Sequence, residues 1–587
     1  MIINALKEYY EQLLEDDPKK VSRFGWCQRK VSFDIELSFQ GELINIIPTA
    51  EDVVRNVPYQ EVKTSGVRAN ILCDNSGYFL GLSLKDQKKG RIEQCFTDAR
   101  EKHIEFLKNV DSPVAQAVLR FFETWDPAQA QSNKLIQSQG DISGNLCFQV
   151  EGKPALQDEK IVEAWDKKFL CNLNDSEKMT CLVTGEYKPI ELTHGKIKGI
   201  KGTSSAGANL ISFNEKAFES YGRDDAKGYN APVSKDVAFA YVTALNYLLS
   251  NPKHRINLVD TTVVFWAEKK DEECIDVLSL MLGLYSAREN IQAENKDKAS
   301  DQLIDDIMKK ISKGYPVNNI DPSTKFYVLG LKGNNGRASV AFFLNSSFGN
   351  VLSNLKEHYE RLEIISDNKS QKYLFPWRLL RELETSSDKK QSNKSGGNLS
   401  YLGSALLYSI LTGRPYPEAL YQKTLLRICA THEVTYGRAA IVKAFFIKNR
   451  KWNQKDEVVT VELNESRVDT PYILGRLFSV LEEIQDKSNG STNIKERFFN
   501  SACATPGVTF PNILLLSENH MAKLARNNRG AHIALDKKKT ELLARLTNNG
   551  MTSFPRRLSN EEQGSFILGY YQEHQNRFQK EEESKEE

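Results

Sequence analysis

The strand signal in this sequence ends well before the chain does, and that asymmetry limits the folds open to it. Up to residue 344, β-branched and aromatic residues gather in short runs. Beyond the polar stretch 384–399 (ETSSDKKQSNKSGGNL), read as a mobile loop, apolar residues recur only at helical spacing. In the first part Val31, Phe33, Ile35 and Leu37 alternate with polar neighbours, Gln40-Gly41 turns the chain, and a second strand ends at Pro48. TTVVFWA (261–267) reads as a buried strand, and KFYVLGLKGNNGRASVAFFL (325–344) as a hairpin turning at Asn335-Gly336. Residues 131–160, rich in glutamine and serine, read as surface loop with short strands. Helices are expected from Ile3, Leu6, Tyr10 and Leu13, after the Asp111-Ser112-Pro113 cap, and from Ser234 through Val237, Tyr241, Leu245 and Leu248. After the polar stretch, helices are expected over 402–411, 418–430, 436–449, 471–485 and 518–526. Segregated elements of this kind define an α+β chain: a mixed α/β N-terminal body followed by a helical C-terminal bundle. The expected division is a mixed α/β domain at 1–360, a helical connecting region at 361–458 and a C-terminal bundle at 459–587.

Several function classes are set aside early. No run approaches ~18 apolar residues, so no membrane span is expected, and MIINALKEYYEQLL reads as a folded amphipathic helix rather than a signal peptide. Nine scattered cysteines without a C-x-x-C suit a reduced, cytoplasmic protein. Cys171 and Cys181 lack the partners of a tetrahedral metal site, and no cofactor is expected. Net charge is only +2, yet 411–455 holds nine Lys or Arg against two acids, and 520–557 repeats that balance. Two segregated basic regions fit phosphate contact as well as they fit solvated helix faces; Arg438, Lys443, Arg526 and Arg529 are the candidates there.

No catalytic motif is complete. The sequence has no P-loop, and His432-Glu433-Val434-Thr435-Tyr436 puts tyrosine where a second zinc-binding histidine belongs. Gly202-Thr203-Ser204-Ser205-Ala206 misses a nucleophile elbow by its last residue. Glu186-Tyr187-Lys188 matches the E-x-K half of a restriction-type nuclease core, a tripeptide loose enough to arise by chance. The chain is therefore expected not to be an enzyme, and the competing reading is a metal-dependent nuclease or nucleic-acid-processing enzyme using Glu186 and Lys188.

Two segments are specialised without being catalytic. In the first, Lys63 and Arg68 can meet phosphates, Thr64, Ser65, Asn70 and Asn75 offer short hydrogen-bonding groups, and Tyr78 follows. A polar turn with local hydrogen bonds from Asp74-Asn75 accounts for the same residues, and on residue physics alone it is the stronger reading. In the second, Lys196, Lys198 and Lys201 crowd onto a glycine-rich stretch that continues through Thr203, Ser204, Ser205 and Asn209. Charge plus a concave set of N–H donors suits a sugar-phosphate backbone, and Phe213 or Tyr221 could stack a displaced base; a solvent loop with core aromatics is the alternative.

Long, mutually ordered motifs carry a resemblance over essentially the whole length. They include KTSGVRANILCDNSGYFLG (63–81), CLVTGEYKPIELTHGKIKGIKG (181–202), NAPVSKDVAFAYVTALNYLL (230–249), FYVLGLKGNNGRASVAFFL (326–344) and GRAAIVKAFFIKN (437–449). The chain resembles large subunits of the subtype I-C CRISPR surveillance complex, Cascade. That resemblance implies a seat beside the subunit holding the crRNA 5′ handle, with contacts to the crRNA-bound backbone subunits. It implies recognition of the protospacer-adjacent motif in double-stranded target DNA, help in opening the duplex and forming the R-loop, and guidance of the displaced non-target strand. It also implies a surface for a helicase-nuclease. Segment 63–78 is expected at the motif and 194–209 at the backbone or as a wedge. Systems of this kind can make a small subunit by starting translation inside the large-subunit gene. Here a start at Met521 would keep only 521–587, whereas one at Val459, or nearly equivalently Val461, would keep every helix of the expected C-terminal bundle.

Overall fold

The computed structural model describes all residues except 1, 19, 51–52, 61–65, 83–88, 175, 220–226, 269–271, 285–293, 318–319, 367–371, 386–398, 453–457, 491–492, 549, 551–552 and 587. The polar stretch expected at 384–399 falls almost wholly outside the described residues. The α+β class holds: the last sheet strand ends at Ser347, and helices dominate thereafter. The chain forms two compact units, one of residues 1–197 and 209–247, the other of 198–208 and 248–587.

The first unit is built on a sheet in the order Leu43–Pro48, Phe33–Leu37, Asn145–Val150, Cys73–Asn75, with Lys153–Pro154 also pairing onto Asn145–Val150. Phe33–Leu37 and Asn145–Val150 run parallel, so the chain between them must cross over, and helices Lys89–Leu107 and Pro113–Thr124 lie on that route. Ser112 caps the second helix, its hydroxyl accepting from Val114 N and Ala115 N, as the proline-marked start predicts. The short strands expected within 131–160 are present, but their placement at the surface needs correcting. Leu146, Cys147, Phe148 and Val150 are buried in the strand between Phe33–Leu37 and Cys73–Asn75. The polar composition of the stretch hid the burial of its strand, because neighbouring strands supply it. Phe79, Phe96, Phe121, Phe122 and Phe148 close the core with His103, whose ring stacks on Phe122 at 4.3 Å. The first helix, Ile2–Asp16, buries Leu6, Tyr10 and Leu13 as its periodicity requires.

The second unit starts from a four-stranded antiparallel meander: Arg255–Leu258, Thr261–Ala267, Lys325–Asn334 and Arg337–Ser347. Every residue of Thr261–Ala267 is buried, and Asn335 turns the hairpin at φ 53°. One apolar core then runs without a break from Ile256 to Tyr571. The expected boundaries at 360 and 458 therefore do not appear as gaps in packing. Tyr421 Oη donates to Asn560 O at 2.6 Å, and Asn500 Nδ2 donates to Cys429 O at 2.8 Å, each tying a 418–431 residue to the last helices. Helices Thr470–Asn489 and Asn560–Glu586 cross at a pair of glycines. A Cβ on Gly475 would lie 2.0 Å from Phe566 O, and one on Gly569 would lie 2.1 Å from Tyr472 O. Only glycine permits backbones that close. Beside the crossing, buried Arg476 donates to Glu573 at 2.7 Å, with Lys538 also on that carboxylate. Helices Ile494–Ala504, Arg529–Asn548 and Asn560–Glu586 were not marked out in the sequence, and Pro506–Asn527 is far longer than the expected 518–526.

Candidate nucleic-acid interface

The 66–78 segment hangs from the helix Lys89–Leu107. Leu72 takes φ 58°, and its N–H donates to His103 Nε2 at 2.9 Å. Because Nε2 accepts, the ring proton sits on Nδ1, which donates to Ala99 O at 2.7 Å. Burial holds the imidazole neutral, its pKa pushed down to about 4. Ala69 N donates to the Asp98 carboxylate, and Lys102 Nζ reaches Ala69 O at 3.3 Å. At the far end Asn70 N donates to buried Asp74 Oδ2 at 2.8 Å, and Asn75 Oδ1 accepts from Gly77 N at 3.0 Å. Asn75 thus caps the short helix Ser76–Phe79, the local role the turn reading assigns it. Tyr78, expected among the contacts, is buried, and its hydroxyl accepts from Arg68 N at 3.3 Å. Those two expectations are corrected: both side chains serve the fold. Arg68 is exposed and Asn70 half-buried. Lys63, Thr64 and Ser65 lie outside the described residues.

Lys196, Lys198 and Lys201 are all exposed. Lys196 belongs to the first unit, where its ammonium meets Asn209 Oδ1 at 2.5 Å. Asn209 is only 7 % exposed and donates to His194 O at 2.6 Å, so it braces the loop from within rather than facing a ligand. Lys198 and Lys201 belong to the second unit. There Lys201 N donates to Thr262 Oγ1 at 2.9 Å, and the loop lies along the 325–347 hairpin: Ser204 N donates to Asn335 O at 3.1 Å, and Asn335 N to Gly202 O at 3.0 Å. Thr203 Oγ1 donates to Ile200 O at 2.8 Å, and Gly207 N to Ser204 O at 3.0 Å. For three amides the expected free N–H donors are corrected: Ser204 N is taken by the hairpin, and Thr203 N and Gly207 N by the loop itself. The lysines and Ser205 stay exposed.

Phe213 is half-buried and lines a cavity together with Thr193, His194, Ser212 and Asn214. Tyr221 lies outside the described residues.

The two basic regions part company. Arg438 is buried, donating to Thr431 Oγ1 at 2.7 Å and Glu433 O at 2.8 Å. Lys443 is 2 % exposed, donates to Arg361 O at 3.1 Å, and burial pushes its pKa down to about 8. Neither faces a phosphate; their charge was counted on a linear sequence that folds it inward. Arg526 and Arg529, by contrast, are exposed, as are Lys523, Lys537, Arg556 and Arg557, while Lys539 pairs with Glu518 at 2.9 Å.

Lys188 stands between two carboxylates, 2.5 Å from Glu186 Oε2 and 3.2 Å from Asp236 Oδ2. Asp236 comes from the start of helix Lys235–Ser250, too far along the chain for any local pattern to announce it. The lysine's pKa is raised, chiefly by its hydrogen bond to Glu186. Among the described residues no three His, Cys, Asp or Glu side chains converge as metal ligands, and no helix is long and apolar enough to cross a membrane.

An α+β chain thus presents exposed lysines on a loop and exposed arginines on a helical bundle. The model of the CRISPR-associated protein family Cas_Csd1 matches residues 6–578, and the chain belongs to that family. No curated protein matches it.

Proposed function

We propose that the chain is the non-catalytic large subunit of a type I-C Cascade. In that role it recognises the protospacer-adjacent motif, aids duplex opening and R-loop formation, guides the non-target strand and helps recruit the helicase-nuclease. The observation that carries the reading is the family match across nearly the whole chain. The exposed lysines of 196–201 and the Arg526–Arg529 face support it, since phosphate contact supplies affinity while short-motif contacts supply discrimination. Guide pairing would read the rest of the target, by analogy with RNA-guided effectors of another type. Its partners would be the crRNA-bound backbone and handle-binding subunits, target DNA and the helicase-nuclease. The test is binding of matched duplexes, with correct and altered adjacent motifs, by the crRNA complex assembled with and without this chain. Motif preference that survives omission of the chain overturns the assignment. Incubation of the purified protein with DNA and Mg²⁺, Mn²⁺ or Zn²⁺ should leave the DNA intact. Cleavage abolished by Glu186→Ala would replace this reading with the nuclease one.

A further inference from the structure

Residues 192–194 and 211–216 of the first unit wall a cavity of about 800 Å³, within the ~300–1,000 Å³ span of ligand sites. Its lining mixes three chemistries. Phe213 offers an aromatic face. Thr193, Ser212 and Asn214 offer short uncharged polar groups, and Lys216 and Lys227 are exposed cations. His194 also belongs to the wall; it is 3 % exposed, and its Nδ1 lies 2.7 Å from Tyr241 Oη.

A flat heteroaromatic ligand with a hydrogen-bonding edge and an attached anion fits the aromatic face, the short polar groups and the cations of this wall. Glu215 and Glu219 also line the cavity; they repel a phosphate but accept from an exocyclic amino group, as carboxylates do with cytosine.

We propose that this cavity receives one unpaired nucleotide of a DNA strand, its base stacked on Phe213 and its phosphate met by Lys216 and Lys227. The inference rests on the DNA-contacting reading above and adds a place where an extruded base is held. Opening a duplex leaves bases unstacked at a cost, and a stacking seat offsets part of it.

The test uses the full-length chain and a labelled single-stranded oligodeoxynucleotide, titrated at several salt concentrations. Phe213→Ala should weaken binding ~10-fold, the loss of one base–aromatic stack, with the log–log salt slope unchanged because no charge is removed. Phe213→Trp should retain the affinity, and the introduced indole should be quenched on binding. Excess free deoxynucleoside monophosphate should fail to displace the strand. Wild-type affinity in Phe213→Ala, an unquenched indole, or displacement by the free nucleotide each overturns the cavity proposal. A chain that binds no oligonucleotide at all overturns the DNA-contacting reading itself, which separates the two failures.

Discussion

Asn70 and Asn75 belong to one short motif, yet the fold treats them differently. Asn75 spends its side-chain oxygen capping Ser76–Phe79, whereas Asn70 is fastened through its backbone N–H. Asn75→Ala should therefore lower stability by about 1 kcal/mol, the usual worth of a cap. Asn70→Ala should instead reduce the preference for the correct adjacent motif by about 1–3 kcal/mol per lost base contact. Thermal unfolding and paired affinities at fixed salt separate the two; equal losses on both targets for Asn70→Ala would make it a turn residue. The lysines invite a different measurement. Replacing Lys196, Lys198 and Lys201 together by alanine should flatten the log–log salt dependence of target binding by up to ~2–3 units and weaken every sequence alike. An unchanged slope in the assembled complex would mean that the three are only solvated.

At the scale of elements, the 66–78 segment depends on a neutral histidine in a neighbouring helix. His103 accepts from Leu72 N only while Nε2 is unprotonated. Its folded pKa lies near 4 against about 6.5 when unfolded, and His194 near 4 and His358 near 3 share the pattern, each lowered mainly by burial. The unfolded chain then binds protons first as pH drops, so this stability is complete above about pH 6.5 and is lost as pH falls toward 4. Each histidine should cost on the order of 1–2 kcal/mol by pH 5. The thermal unfolding midpoint should fall between pH 7 and pH 5, and a midpoint that stays level or rises would contradict the buried neutral assignment. None of this shows in the sequence, where His103 is one histidine among eight. Its importance comes from its contact with Leu72, which local spacing does not announce.

Over the whole molecule, the C-terminal helices raise the question of a second product. The resemblance implies that one could arise by internal initiation, and a start at Val459 keeps every helix from Thr470 onward. Such a product would leave behind the rings of Tyr421 and Phe446, against which Gly564 now packs, and would bare that helix face for a partner. Intact mass spectrometry of the complex expressed from the native gene should show a species with the mass of 459–587. Finding the full-length chain alone, or a product starting at Met521, removes the hypothesis.

What could be decided locally was legible from the residues. The helix cap at Ser112, the Asn335 turn, the buried strand 261–267 and the switch from strands to helices all depend on neighbours within a few positions. The family resemblance likewise needed only ordered motifs. Exposure could not be read this way, because charge is counted along the chain whereas burial is set by what packs across it. Arg438 and Lys443 counted toward a basic surface until tertiary packing placed them under it. The amide of Ser204 looked free until Asn335 O of the hairpin supplied its acceptor. Only the folded chain brings Asp236 to Lys188, His194 to Tyr241 and Gly475 to Phe566, since each pairing closes a long loop of chain and leaves no trace in local spacing.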